Sequence, residues 1–171
     1  MKIANGLLQS AMGALFLVSG CSVGEDPKLA QLRSTLMLKS EPANAISLTE
    51  AKNTLAEESD IVLVGKIGSG KLSPFDPAKA AFVLSEAPLK HEEDEGHDAS
   101  DCPFCKRRAA EAPIAFVELR NETDKAITVG AEKLLGLKDG QTVVIEGRGV
   151  YSTEEDSLQI VANKIFVRPS K

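Results

Sequence analysis

From Asp60 to Pro169 the apolar residues recur with the period of a strand, in short runs separated by glycine, proline and acidic turns. That rhythm limits this part of the chain to a mainly β fold. "DIVLVGKIG" (60–68) is a β-branched run ended by Gly68 and Gly70, "KAAFVLSEA" (79–87) is a second strand, and "PIAFVELR" (113–120) is a third. "NETD" reads as a turn and "KAITV" (125–129) as a short return. "GAEKLLGL" (130–137) predicts a brief helix, closed by the turn residues Lys138, Asp139 and Gly140. "QTVVIEGRGVYS" (141–152) and "SLQIVANKIFVRP" (157–169) are the last two strands, joined through an acidic turn at Glu154 to Asp156. Upstream, Ser47-Leu48-Thr49-Glu50 has the form of a capping box, and Leu48, Ala51 and Leu55 follow at helical spacing, which predicts a helix over 48–57. With no Trp and a single Tyr among 43% hydrophobic residues, the core must be aliphatic. No internal repeat is evident.

The order strand, strand, strand, short helix, strand, strand resembles the OB-fold. Two features strengthen the likeness: Gly65 and Gly68 in the first strand, and the phrase formed by Leu137, Gly140, Val143, Ile145 and Gly147 ahead of and within the fourth. The resemblance implies a five-stranded Greek-key barrel over 60–169, with a short helix between strands three and four. A short helical segment (47–59) precedes it, and residues 88–112 form an insertion between the second and third strands.

At the N-terminus, Lys2 is followed by the uncharged apolar stretch "GLLQSAMGALFLV" (6–18). It is shorter than the roughly 20 residues a membrane-spanning helix needs, and it suits the hydrophobic region of an export signal. Val18-Ser19-Gly20-Cys21 resembles the bacterial lipobox, which implies a signal peptide over 1–20 and lipidation of Cys21. Ser22 follows, where that pattern places Asp for retention in the inner membrane, so anchoring on the periplasmic side of the outer membrane is expected. Residues 21–46 are polar, with Pro27 and Pro42, and read as a tether with at most one helical turn around Leu29, Leu32 and Leu36. Removing residues 1–20 takes away Lys2 and moves the formal net charge from −5 to −6. An acidic chain is a poor partner for phosphate backbones, so nucleic acid is not an expected ligand. The expected partners are the membrane, through Cys21, and an unidentified protein of the periplasm.

"GKIGSGKL" (65–72) has the G-x4-G-K spacing of a phosphate loop in Gly65, Gly70 and Lys71. Leu72 stands where the magnesium-binding hydroxyl belongs, and Pro74 and Pro77 exclude the helix that would follow. The glycines are better explained by tight curvature of a strand.

The chemistry concentrates in "HEEDEGHDASDCPFCKRR" (91–108), which holds both histidines of the chain and both cysteines left after Cys21. "CPFC" resembles the motif of thioredoxin-like and glutaredoxin-like oxidoreductases, where a helix N-terminus activates the first thiol. The βαβ unit that carries the motif in those families is missing, and the residue after Cys105 is Lys106, not the His of a haem attachment site. Taken together, His91, His97, Cys102 and Cys105 make a His2Cys2 set suited to zinc, or to copper. Neighbouring carboxylates such as Glu92 and Asp101 would attract the cation. A Cys102–Cys105 disulfide, favoured by an oxidising compartment, and a solvated acidic loop are the alternatives. The chain as a whole is similar to exported lipoproteins of the planctomycete type, which carry a comparable His-rich, DCPFC-bearing insertion; that likeness implies no activity.

The expectation is therefore a lipid-anchored binding module and not an enzyme, with a metal held by the insertion. The alternative is a thiol–disulfide oxidoreductase using Cys102 and Cys105. Of Phe82, Phe116, Tyr151 and Phe166, the aromatics of the strand candidates, those at alternating apolar positions are expected to serve the core.

Overall fold

The computed structural model describes residues 26–68, 72–87 and 113–169, together with positions 103–104, 107 and 111. Among these, the strands are β1 (Ser59–Ile67), β2 (Ala81–Ser85), β3 (Ile114–Leu119), β4 (Thr142–Ser152) and β5 (Ser157–Val167). The helices are α1 (Pro27–Leu36), α2 (Leu48–Thr54) and a short α3 (Ala131–Leu135) between β3 and β4. The molecule is mainly β: a five-stranded mixed sheet whose hydrogen-bond ladders run in a ring, β1-β2-β3-β5-β4 and back to β1. All pairings are antiparallel except β3 with β5, which is parallel.

Alternation decides what each strand buries. Ile61, Leu63 and Ile67 of β1, Phe82 and Leu84 of β2, and Ala115, Val117 and Leu119 of β3 are buried in one aliphatic core. On β5 the inward set is Leu158, Ile160 and Ala162, then Ile165. The parity changes between Ala162 and Ile165 because the register slips there: Glu146 faces Lys164 while Gly147 faces Ala162, leaving Asn163 as the extra residue of a bulge. The bulge lets both halves of a long strand face inward. At each leucine, isoleucine, valine or phenylalanine among these, full burial of the side chain is worth about 1.5–3 kcal/mol.

Where a strand outlives its neighbour, residues 37–46 take over the exposed ladder. The amide of Leu38 donates to the Ile165 carbonyl, and Ile46 exchanges bonds with Val62 and Val64 on β1. The segment read as a tether therefore contributes directly to the sheet, and it also holds a ten-residue helix, α1, instead of a single turn. Asp26 caps α1 by accepting from the Lys28 amide, Pro27 begins it, and Leu36 buries its end. Little apolar periodicity announced this helix, because its stability comes from docking on β5 and α3.

Ser47 caps α2 as expected, its hydroxyl accepting from the Glu50 amide at 3.1 Å, but the helix ends at Thr54, not at residue 57. "KAITV" forms no strand; it makes an isolated bridge between Ala126 and Arg120, and Ile127 is buried. The "NETD" turn is tied by Asn121, whose side-chain oxygen accepts from the amides of Thr123 and Lys125. α3 stops at Gly136, which adopts φ 72°, the left-handed conformation that ends many helices. In β1, Gly65 is pressed from inside: a Cβ there would lie 3.0 Å from Leu84 and 3.1 Å from Leu48. No phosphate-loop helix follows, since residues 73–80 are irregular.

Candidate functional site

Cys21, His91, His97, Cys102 and Cys105, the lipidation and metal candidates, all lie outside the described residues. Among the described residues, no group of three or more His, Cys, Asp or Glu side chains is arranged to hold a metal ion. The strands that flank residues 88–112 are paired with each other. Leu84 on β2 faces Ala115 on β3, so both ends of the segment leave from one closed ladder rung. Within it, Phe104 is exposed and carries the Arg107 guanidinium 5.5 Å from its ring centre.

A concavity lies on the outer face of β2, β3 and β5, beside that rung, and a second of the same volume lies beside α1. The first is an open groove of about 590 Å³. The pairing registers lay its floor down in two rungs. Val83, Phe116 and Gln159 stand side by side across the three strands, and Ala81, Glu118 and Val161 form the next row. One wall is the segment Ser73–Pro77, which runs along β2: the Val83 amide donates to Pro74 and the Asp76 amide donates to Ala81. Phe75 anchors this wall, its ring 6.4 Å from that of buried Phe82. Asp76 accepts from the Ala78 amide at 2.8 Å, which stiffens the corner.

Phe116 is the unexpected member. It points outward and is 41% exposed, so it is not a core residue. The signal was present in "IAFVEL": Phe116 shares the parity of Glu118, while Ala115, Val117 and Leu119 share the buried one. Phe82 is buried as expected.

The charges at the groove are balanced and mutually satisfied. Arg120 donates to Glu118 at 2.9 Å, and Lys79 lies 3.7 Å from the other carboxylate oxygen. Arg120 also meets Asp124, which Arg148 shares at 3.2 Å before reaching Glu58. The hydrogen bond to Glu118 holds the Arg120 pKa above its ordinary value.

A separate cluster fastens α2 to the β4–β5 turn. Lys52 Nζ lies 2.7 Å from Asp156 Oδ1, and the Tyr151 hydroxyl donates to the same oxygen at 2.6 Å. The Lys52 hydrogen bond, then that of Tyr151, holds the Asp156 carboxyl below its ordinary 3.8. Asp156 in turn raises both Lys52 and Tyr151. The sign of the linkage follows. The depressed carboxyl contributes stability that is complete above about pH 3.8 and is lost as the pH falls through its lower folded value. The raised ammonium contributes stability that is complete below about pH 10.5 and is lost as the pH rises through its higher folded value. Asp156→Asn keeps a side chain that tolerates the left-handed φ of 46° at this position. In thermal melts it is expected to be less stable than the parent at neutral pH, with the difference disappearing in strong acid. A difference that persists unchanged at low pH would show that the carboxylate charge is not its source.

No protein-family model matches the chain, and no curated protein matches it.

Proposed function

We propose that this protein is an exported, lipid-anchored binding module built on an OB-type barrel. The ring order β1-β2-β3-β5-β4, the parallel β3–β5 pair and a helix between β3 and β4 support the barrel reading. Fold alone leaves function open, and the observation that carries the binding role is the outer groove of about 590 Å³ with an exposed aromatic on its floor. That volume falls within the usual range of small-ligand sites. Lipidation at Cys21 would hold the module on the periplasmic side of a membrane, the outer membrane by the residue that follows the cysteine.

The insertion supplies a second feature of the same module, a metal clamp made by His91, His97, Cys102 and Cys105. Zinc fits the S2N2 set, and copper is the competing ion. Because residues 88–112 begin and end beside one β2–β3 rung, an ion bound within them would tie the segment together close to that rung. The metal would serve structure or metal handling, and no catalytic step is assigned to it.

Metal content and free thiols, measured together on protein starting at residue 22 and purified under reducing conditions, test the clamp. About one zinc or copper per chain is expected, with loss of that metal in a His91→Ala/His97→Ala double variant. Protein without metal, carrying a readily reduced Cys102–Cys105 disulfide, would overturn the clamp and favour thiol–disulfide exchange. The binding role itself is tested by screening a mixed small-molecule library by amide chemical shifts. Hits are expected to move the signals of Val83, Phe116 and Gln159 together.

A further inference from the structure

We infer that the outer groove takes a neutral saccharide, with one sugar ring seated on Phe116; this rests on the groove being the ligand site of the binding module. The inference comes from what the groove offers and what it withholds. Its floor offers an apolar platform one aromatic ring wide, Phe116, set between Val83 on β2 and Gln159 on β5. Around the platform stand short-reach polar groups on fixed backbone: Gln159 in the same rung, held by its side-chain amide nitrogen's bonds to Glu155 and Ser157, Glu118 in the next, and Ser73 and Asp76 on the wall. A ligand that fits has one flat apolar face and a hydrogen-bonding edge. A pyranose has that shape, with axial C–H groups on its face and hydroxyls around its rim.

Three other ligand chemistries fit less well. An extended peptide needs a free strand edge with which to pair. Here β2 is paired on one side by β3 and on the other by residues 74–76, while β3 and β5 lie between partners in the closed ring. A single-stranded nucleic acid also stacks on aromatics, but it needs a cationic track for its phosphates. The cations on this face, Lys79 and Arg120, are both engaged by Glu118, and the lining carboxylates Asp76 and Glu118 match them in number. A fully apolar ligand such as an acyl chain would leave the Glu118–Arg120 pair and Gln159 desolvated beside it, at a cost the platform alone does not offset. Balanced charge and ring-sized apolar surface are what an uncharged polyhydroxylated ring requires.

The test uses the full chain carrying Cys21→Ser, with neutral oligosaccharides as probes: chitotriose, cellotriose and maltotriose, each in the millimolar range, followed by amide chemical shifts and titration calorimetry. At least one is expected to bind and to shift Val83, Phe116 and Gln159. Phe116→Ala is expected to weaken that binding by about tenfold or more, Phe116→Tyr to retain it, and Gln159→Ala to weaken it less than the loss of the ring. Because Phe116 is on the outer face, the Ala variant should keep the parent's thermal midpoint and circular dichroism, which separates lost binding from lost folding. If library compounds move the groove signals and none of the sugars does, the saccharide assignment is overturned while the binding module stands. If neither sugars nor library compounds move them, both readings are overturned. Sugar binding that is indifferent to Phe116→Ala also overturns the assignment.

Discussion

Gly147→Ala is expected to lower the stability of the folded chain by about 3 kcal/mol or more, the range reached when backbone must move to admit a side chain. Gly147 opposes Ala162 just beyond the β5 bulge, where the two backbones are drawn together. A Cβ on it would lie 2.2 Å from the Val161 carbonyl oxygen and 2.7 Å from the Ala162 Cα. Both obstacles are backbone, so no rotamer change relieves them; the β4–β5 ladder has to open. Gly149→Ala is the natural comparison. Its added Cβ would come 2.6 Å from Ile160 Cδ1, the far end of a flexible side chain, and a cost of about 1 kcal/mol is expected there. Urea unfolding of both variants gives the comparison directly. Equal midpoints for the two would mean that the close approach at the bulge is not what reserves position 147 for glycine.

Leu84→Ala is expected to cost about 2–5 kcal/mol, as deletion of a buried leucine from a packed core does. Leu84 is fully buried at the point where β2 meets β1 over Gly65. Its Cδ1 is one of the atoms that would lie 3.0 Å from a Cβ at residue 65. Gly65→Ala alone should therefore be unfavourable by crowding. The double variant should cost less than the two single costs together, because removing the leucine tip frees part of the space that the new methyl needs. Chemical denaturation of the four proteins completes the cycle. Simple additivity would sink the view that Leu84 and the missing side chain of Gly65 compete for one volume.

Much of the sheet was legible in the chain, because its strands carry local signals. Alternation marked β1 through β5 to within a few residues, Ser47 announced the start of α2, and Gly136 and Gly140 adopt the positive φ angles their turns demand. The bulge also leaves a trace, since the buried spacing of Leu158, Ile160 and Ala162 resumes at Ile165, one residue out of phase. The groove was less visible. Its aromatic, Phe116, was open to assignment from the parity it shares with Glu118, but its partners Gln159 and the Ser73–Pro77 wall come from distant parts of the chain.

The sequence by itself determined a mainly β chain with an aliphatic interior, a short helix before the fourth strand, and an insertion that gathers both histidines with two of the three cysteines. These are statements about neighbours in the chain, where periodicity, capping and turn chemistry act. Only the tertiary structure decided that residues 27–46 belong to the folded body, since α1 and the bonds of Leu38 and Ile46 exist only against β5 and β1. It also decided that Gly147 must be bare and that Phe116 faces solvent over a groove. Those properties arise from strands far apart in sequence being brought within bonding distance, a relation that local chain preferences do not encode.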